Sequence, residues 1–237
     1  TRSDRDWSSD VCSSDLLSLH YILFAVLLYM VVFLSQEVTC RGRLSLRLLT
    51  YDNPGGKGNN GHCCAGKWGL CERGGGCDHY FVVCVDAYNS ASTLRKDDVD
   101  ACALGSVTTG TSYDKSFNEF GPDIRGTANP MLFTFSSQWQ APGVKIKVLV
   151  YDKDGNQDDY VDFVFRSLRI TPDREQASAH SHRIRLAART TLEAQVKAWC
   201  DPGWYGEECD TPCTPADDGH QGHYTCDHQT GEKICIP

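Results

Sequence analysis

The last stretch of the chain limits the possible folds more than any other. Cys200, Cys209, Cys213, Cys226 and Cys235 follow one another at intervals of eight, three, twelve and eight residues. The sequence between them, beginning "CDPGWYGEECDTPC", holds too few apolar side chains to build a core. Such a segment keeps its shape only if covalent links restrict its unfolded state. Zinc is the rival reading, because Cys209 and Cys213 precede His220 and His223. A two-Cys, two-His finger needs about twelve residues between its pairs and three to five between its histidines; here the intervals are six and two. Redox chemistry calls for C-x-x-C, which this block lacks. Disulfide stapling is the expectation.

The chain has 13 cysteines, a density that reducing compartments do not support, so the protein is expected in the secretory pathway and outside the cell. Cys63, Cys64, Cys71, Cys77, Cys84 and Cys102 form an even block that can pair internally. The terminal block is odd, and a sixth partner is expected beyond Cys235. Residues 16–37 read as a signal peptide around the apolar run "LLSLHYILFAVLLYMVVFL", with cleavage between Ser35 and Arg41. Residues 1–15 precede the first methionine, Met30, and read as an assembly scar, which removes Cys12 from the pairing; Cys40 lies beside the leader. No later run is long and apolar enough for an anchor. Either the chain is a fragment, which the odd cysteine favours, or the protein is soluble. A net charge of -8 argues against a nucleic-acid partner, since no phosphate-neutralising face is implied.

Between the two cysteine blocks the sequence reads as strands. "LSLRLLTY" (44–51), "YFVVCVDAY" (80–88), "MLFTFSSQW" (131–139), "VKIKVLVYD" (144–152), "DYVDFVFRSLRI" (159–170), "HRIRLAAR" (182–189) and "TLEAQVKAW" (191–199) are β-branched, aromatic or alternating. Gly-, Pro-, Asn- and Asp-rich turns at 53–61, 74–78, 121–123 and 153–159 separate them. With no convincing helix, the pattern predicts an all-β, antiparallel β-sandwich. The last strand runs straight into Cys200, so the small terminal module should dock rigidly.

Other motifs carry less. The loop "YDKDGNQDDYVDF" offers Asp152, Asp154, Asp158, Asp159 and Asp162, oxygen ligands of the kind calcium takes, although Gln157 stands where an EF-hand needs glycine. Calcium is the candidate ligand there, on Asp152, Asp154, Asp158 and Asp159; solvated charge is the plain alternative. His180 and His182 alternate on a predicted strand with no third ligand, and read as an exposed pair. "GGKGNNG" lacks the order of a phosphate-binding loop. No nucleophile motif is present, and no enzyme is expected.

The segment "WCDPGWYGEECDTPCTPADDGHQGHYTCDHQTGEKIC" (199–235) resembles the DSL domain of Notch ligands, the Delta and Serrate/Jagged proteins. It shares a Cys, an aromatic Tyr-Gly, a Cys-x3-Cys, Asp-Asp and Gly-His-Tyr before the next Cys. "GRLSLRLLTYDNPGGKGNNGHCCAGKWGLCERGGGCDHYFVVCVDAY" is similar to the N-terminal module of the same ligands, and "NPMLFTFSSQW" to its next strand. The resemblance implies a C2-like sandwich over 41–197, followed over 198–237 by a DSL, or EGF-like, module truncated before its last cysteine. It implies pairing of Cys200 with Cys209 and of Cys213 with Cys226, with Cys235 left for a later partner. It also implies the ectodomain of a single-pass plasma-membrane protein whose anchor is missing from this chain.

The function implied is recognition of Notch receptor EGF-like repeats in cell–cell signalling, with no cofactor required and a phospholipid surface as a further candidate partner. The implied contact residues are Trp204, Tyr205, His220, Gln221, His223 and Tyr224. Two positions depart from the family pattern. Gln221 stands where a hydrophobic anchor is usual, in a loop one residue longer, and Ala216 replaces a basic residue. Trp204 and Tyr205 either supply contact area or cover the disulfides. The rival to receptor recognition is a secreted, calcium-dependent lipid- or glycan-binding module on the same scaffold.

Overall fold

The computed structural model describes residues 41–64, 77–112, 117–137, 139–155 and 158–236. The leader, residues 1–15, Cys12, Cys40, Cys71 and Gln157 lie outside the described residues. Cys40–Pro237 forms one compact unit.

Two antiparallel sheets face each other across one core. The first runs β10 (His182–Ala187), β11 (Thr191–Cys200), β1 (Gly42–Asp52), and then both β4 (Phe117–Glu119) and β7 (Met131–Phe135) on the far edge of β1. The second runs β3 (Gly105–Thr108), β2 (His79–Ala87), β8 (Gly143–Asp152), β9 (Asp159–Arg169). A small hairpin, β5 (Asp123–Ile124) with β6 (Thr127–Ala128), leads into β7.

Period-two patterning explains the packing. Leu44, Leu46 and Leu48 of β1, and Leu192, Ala194, Val196 and Ala198 of β11, have no exposed surface and meet Phe81, Val83 and Val85 of β2 and Ile146, Val148 and Val150 of β8. Each such aliphatic side chain contributes about 1.5–3 kcal/mol when fully buried. β8 is buried on both faces because residues 88–104 fold over its outer side, pinned by Cys84–Cys102. Leu94 and Val99 of that cover pack on Tyr80, Val82 and Leu149. The covered lysines are satisfied: Lys147 Nζ lies 2.7 Å from Asp86, and Lys145 donates to the Ser90 carbonyl and the Ser92 hydroxyl.

β4 and β7 share one edge of β1 and leave a gap between them at Leu48. The buried Asn129 side chain fills it. Its Oδ1 accepts the Leu48 N–H at 2.8 Å and its Nδ2 donates to the Leu48 carbonyl at 2.9 Å, completing the ladder where backbone does not reach.

The seven expected strands are present, with differences at their ends. The strand expected over 131–139 stops at Phe135, because Trp139 turns into the core and donates Nε1–H to the Ile170 carbonyl. β3 to β6 are two to four residues long, too short for periodicity to reveal. Among the described residues, a single 3-10 turn occupies Lys96–Ala101. His180 lies outside β10 rather than alternating with His182; its ring pairs with Asp173 at 2.8 Å.

Candidate functional site

The terminal module is two small sheets held by two disulfides. β12 (Trp204–Tyr205) pairs with β13 (Thr211–Pro212), and β14 (Ala216–Asp218), β15 (Gly222–Cys226) and β16 (Lys233–Cys235) form a three-stranded sheet. Cys200 is bonded to Cys209 and Cys213 to Cys226, the pairing the resemblance implies. Because Cys209 and Cys213 each have a sulfur partner, neither is a thiolate for zinc. Cys235 is a free, exposed thiol. In the sandwich, Cys64 pairs with Cys77, Cys84 with Cys102, and Cys63 is also disulfide-bonded.

The module is docked on the sandwich through its first link. Cys200 is both the last residue of β11 and half of a disulfide, and Cys200 and Cys209 belong to the same apolar cluster as Leu44 and Phe135. The Trp139 N–H donates to the Glu208 carbonyl at 2.9 Å, and Arg43 pairs with Asp201 at 2.9 Å. The Arg41 guanidinium sits 4.7 Å from the centre of the Trp204 ring, and that of Arg174 3.9 Å from Tyr205. Gly231 also packs on Tyr205: it has φ +74°, and a Cβ there would fall 2.6 Å from the Tyr205 Cβ. Only glycine fits.

These contacts divide the expected binding residues. Tyr205 is 7% exposed, so it belongs to the junction rather than to an open contact surface, and Trp204 is half-buried against the core. His220, Gln221 and His223 are exposed, while Tyr224 is half-buried under Lys233, whose Nζ lies 4.2 Å from the ring centre. The loop from β14 to β15 is fixed by one carboxylate. Asp218 Oδ1 accepts the N–H groups of His220 at 2.7 Å and Gln221 at 2.6 Å. The Gln221 and His220 N–H bonds hold the Asp218 carboxyl below its ordinary range. His223 pairs with Asp217 across the β14–β15 ladder. Arg41, Arg174 and Gly231 were not singled out as site residues in the sequence, and no motif marks them; Asp218 was legible only as half of the Asp-Asp pair that carries the resemblance.

The acidic loop lies at the opposite end of the sandwich. β8 starts beside the terminal module and ends at Asp152, so roughly 30 Å separates the two. Its carboxylates are engaged separately. Asp152 is 1% exposed and accepts the Asp78 N–H at 2.5 Å. Burial, above all, pushes its carboxyl up to about 6, with Asp154 and Asp159 adding repulsion. Asp158 accepts from the Tyr80 hydroxyl at 2.7 Å and pairs with Lys153 at 3.0 Å and Lys96 at 3.5 Å; the Tyr80 bond first, and then Lys153, hold it at about 2. Asp162 is turned to the Thr190 N–H and hydroxyl. Asp154 and Asp159 are exposed.

A calcium ion takes six to eight oxygens around one point; among the described residues these carboxylates are not gathered around one point. Lysine ammonium groups already neutralise Asp158. Among the described residues, the one cluster with metal-ligand proximity is Cys64, Cys77 and His79, whose sulfurs are joined to each other.

A family model described as the N terminus of the Notch ligand C2-like domain matches residues 41–197, and one for the Delta serrate ligand domain matches residues 200–237. Neurogenic locus protein delta of Drosophila melanogaster is 27% identical over 226 residues, covering 92% of this chain and 26% of that protein. Protein jagged-1 of Homo sapiens is 29% identical over 202 residues, covering 82% of this chain and 16% of that protein. The solved structure of Drosophila C2-DSL-EGF1 is similar with a TM-score of 0.59 at 26% identity, over 82% of each chain. The chain therefore spans about a quarter or less of the length of these two relatives. With the sandwich and the stapled module matched in the same order, the chain belongs to the Notch ligand family and carries its C2-like domain followed by its DSL domain.

Proposed function

We propose that this chain is the receptor-binding region of a Notch ligand, displayed outside the cell on a membrane-attached protein, and that it acts by protein recognition without covalent chemistry. The partner is the EGF-like repeats of a Notch receptor. The observation that carries this reading is the preorganised β14–β15 loop. Asp218 holds the backbone of His220 and Gln221, so their exposed side chains are presented with little ordering cost on binding. Ile234 and Ile236 are exposed nearby on β16 and just after it, and supply apolar area that Gln221 does not. Recognition needs no metal ion, because the acidic loop is far from this surface and its Asp158 is already paired with Lys153 and Lys96.

The test is capture of the chain by immobilised Notch EGF-like repeats. H220A/Q221A should weaken capture, and Gln221→Phe, which restores an apolar anchor at the loop tip, should strengthen it by about tenfold, the order expected for burying one large apolar side chain. Absence of capture by any segment of the receptor, or capture indifferent to both variants, would reject the proposal.

A further inference from the structure

The outward face of the first sheet carries charge opposite to that of the chain as a whole. The alternation that sends Leu44, Leu46 and Leu48 inward on β1 turns Arg43, Ser45 and Arg47 outward. On β10 it turns Arg183 and Arg185 outward, and on β11 Glu193, Gln195 and Lys197. Register then assembles them: Arg47 is opposite Gln195, Gln195 is opposite Arg183, Lys197 is opposite Ser45, and Arg185 is opposite Glu193. With strands about 4.8 Å apart and a rise of about 3.4 Å per residue, Arg47 and Arg183 stand about 10 Å apart. Arg43 and Arg47 stand about 13 Å apart.

Acidic groups do not cancel this array. Glu193 pairs with Arg183 at 2.5 Å, Asp201 pairs with Arg43 at the rim, and Glu119 lies at the far end opposite Thr50. A cationic face on a chain of net charge -8 is a local reversal: Glu193 and Asp201 engage Arg183 and Arg43, which leaves the charges of Arg47, Arg185 and Lys197 without an acidic partner among the described residues.

We infer that this face docks a sulfated glycosaminoglycan chain. Charge complementarity requires a polyanion, and guanidinium forks suit oxyanions with several acceptor oxygens. The disulfides place the protein outside the cell, whereas anionic phospholipid is concentrated in the cytoplasmic leaflet. Among the described residues, Leu132 is the single exposed large apolar side chain on this face, so polar groups dominate it and offer little wedge for a bilayer.

Heparin is the probe. The chain should be retained on immobilised heparin at physiological ionic strength with calcium absent, and salt should release it. R47S/K197S should weaken binding by about fivefold per cation removed, the scale of one Lys or Arg near an anionic surface. K57S/R95S removes the same charge from exposed positions elsewhere and should bind as the parent does. Passage of the parent through heparin without retention would overturn the inference. So would equal binding by R47S/K197S, equal binding to heparin stripped of its sulfates, or attachment to phosphatidylserine vesicles with none to heparin.

Discussion

Asp152 carries a free-energy penalty that one substitution should release. Its carboxylate is buried at the end of β8, with Asp78, Asp154 and Asp159 as charged neighbours. Raising a carboxyl from its ordinary 3.8 to about 6 corresponds to about 3 kcal/mol against the ionised native state at neutral pH. Relaxation of the loop and access of water to its exposed neighbours reduce this to about 1–2 kcal/mol. The sign follows from linkage. Where the native state holds the proton more tightly than the unfolded chain, stability is full below the unfolded value near 4 and falls as pH rises through about 6. Asp152→Asn keeps an oxygen for the Asp78 N–H and removes the charge. At pH 7.4 it should raise Tm by about 2–8 °C, given about 2–4 °C per kcal/mol for a domain of this size. The assay is thermal unfolding under non-reducing conditions at pH 5.0 and 7.4 for both proteins. The parent should gain stability on acidification and the variant should gain less, the difference isolating this carboxyl from every group the two proteins share. If Asp152→Asn lowers Tm at pH 7.4, or if the two proteins respond identically to pH, the carboxylate is not strained as argued.

Three further outcomes are expected. Gly231→Ala should destabilise the terminal module by about 2 kcal/mol or more, through left-handed backbone and collision with Tyr205; faster amide exchange in residues 200–236 with the sandwich intact would show it. Asp218→Ala should speed exchange of the His220 and Gln221 amides severalfold at neutral pH. In the parent the same protection should persist to about pH 4 and disappear only below it, because a depressed carboxyl contributes above its unfolded value and is lost as pH falls through its native one. Exchange of millimolar calcium for EDTA should move Tm by less than about 1 °C; a rise of several degrees that Asp158→Asn abolishes would show that the acidic loop does close on the ion.

The sandwich was legible because its strands are long enough to alternate. Leu44, Leu46 and Leu48 announce both β1 and the side that faces inward. What escaped depends on residues brought together from distant parts of the chain. Nothing local marks Asn129 as the side chain that completes the β1 ladder at Leu48, 81 positions away. The acidic run looked like one ligand set on paper, but β9 pairing turns Asp162 toward Thr190, while Tyr80 and Lys153 claim Asp158. In the terminal module, cysteine spacing revealed the staples, whereas the inward turn of Tyr205 depends on Arg174 and Gly231, to which no motif points.

The way β11 passes into Cys200 has a mechanical consequence. β11 is flanked by β1 and β10, and its register with β1 extends from Gly42 opposite Cys200 to Asp52 opposite Thr191. A tug on the far end of the chain, relayed through the sulfur bridges, would load this inner strand along its length. Its rungs lie crosswise to the strands, so they would share the load in shear instead of unzipping one after another. The terminal module is thus hung from the part of the molecule best able to bear tension.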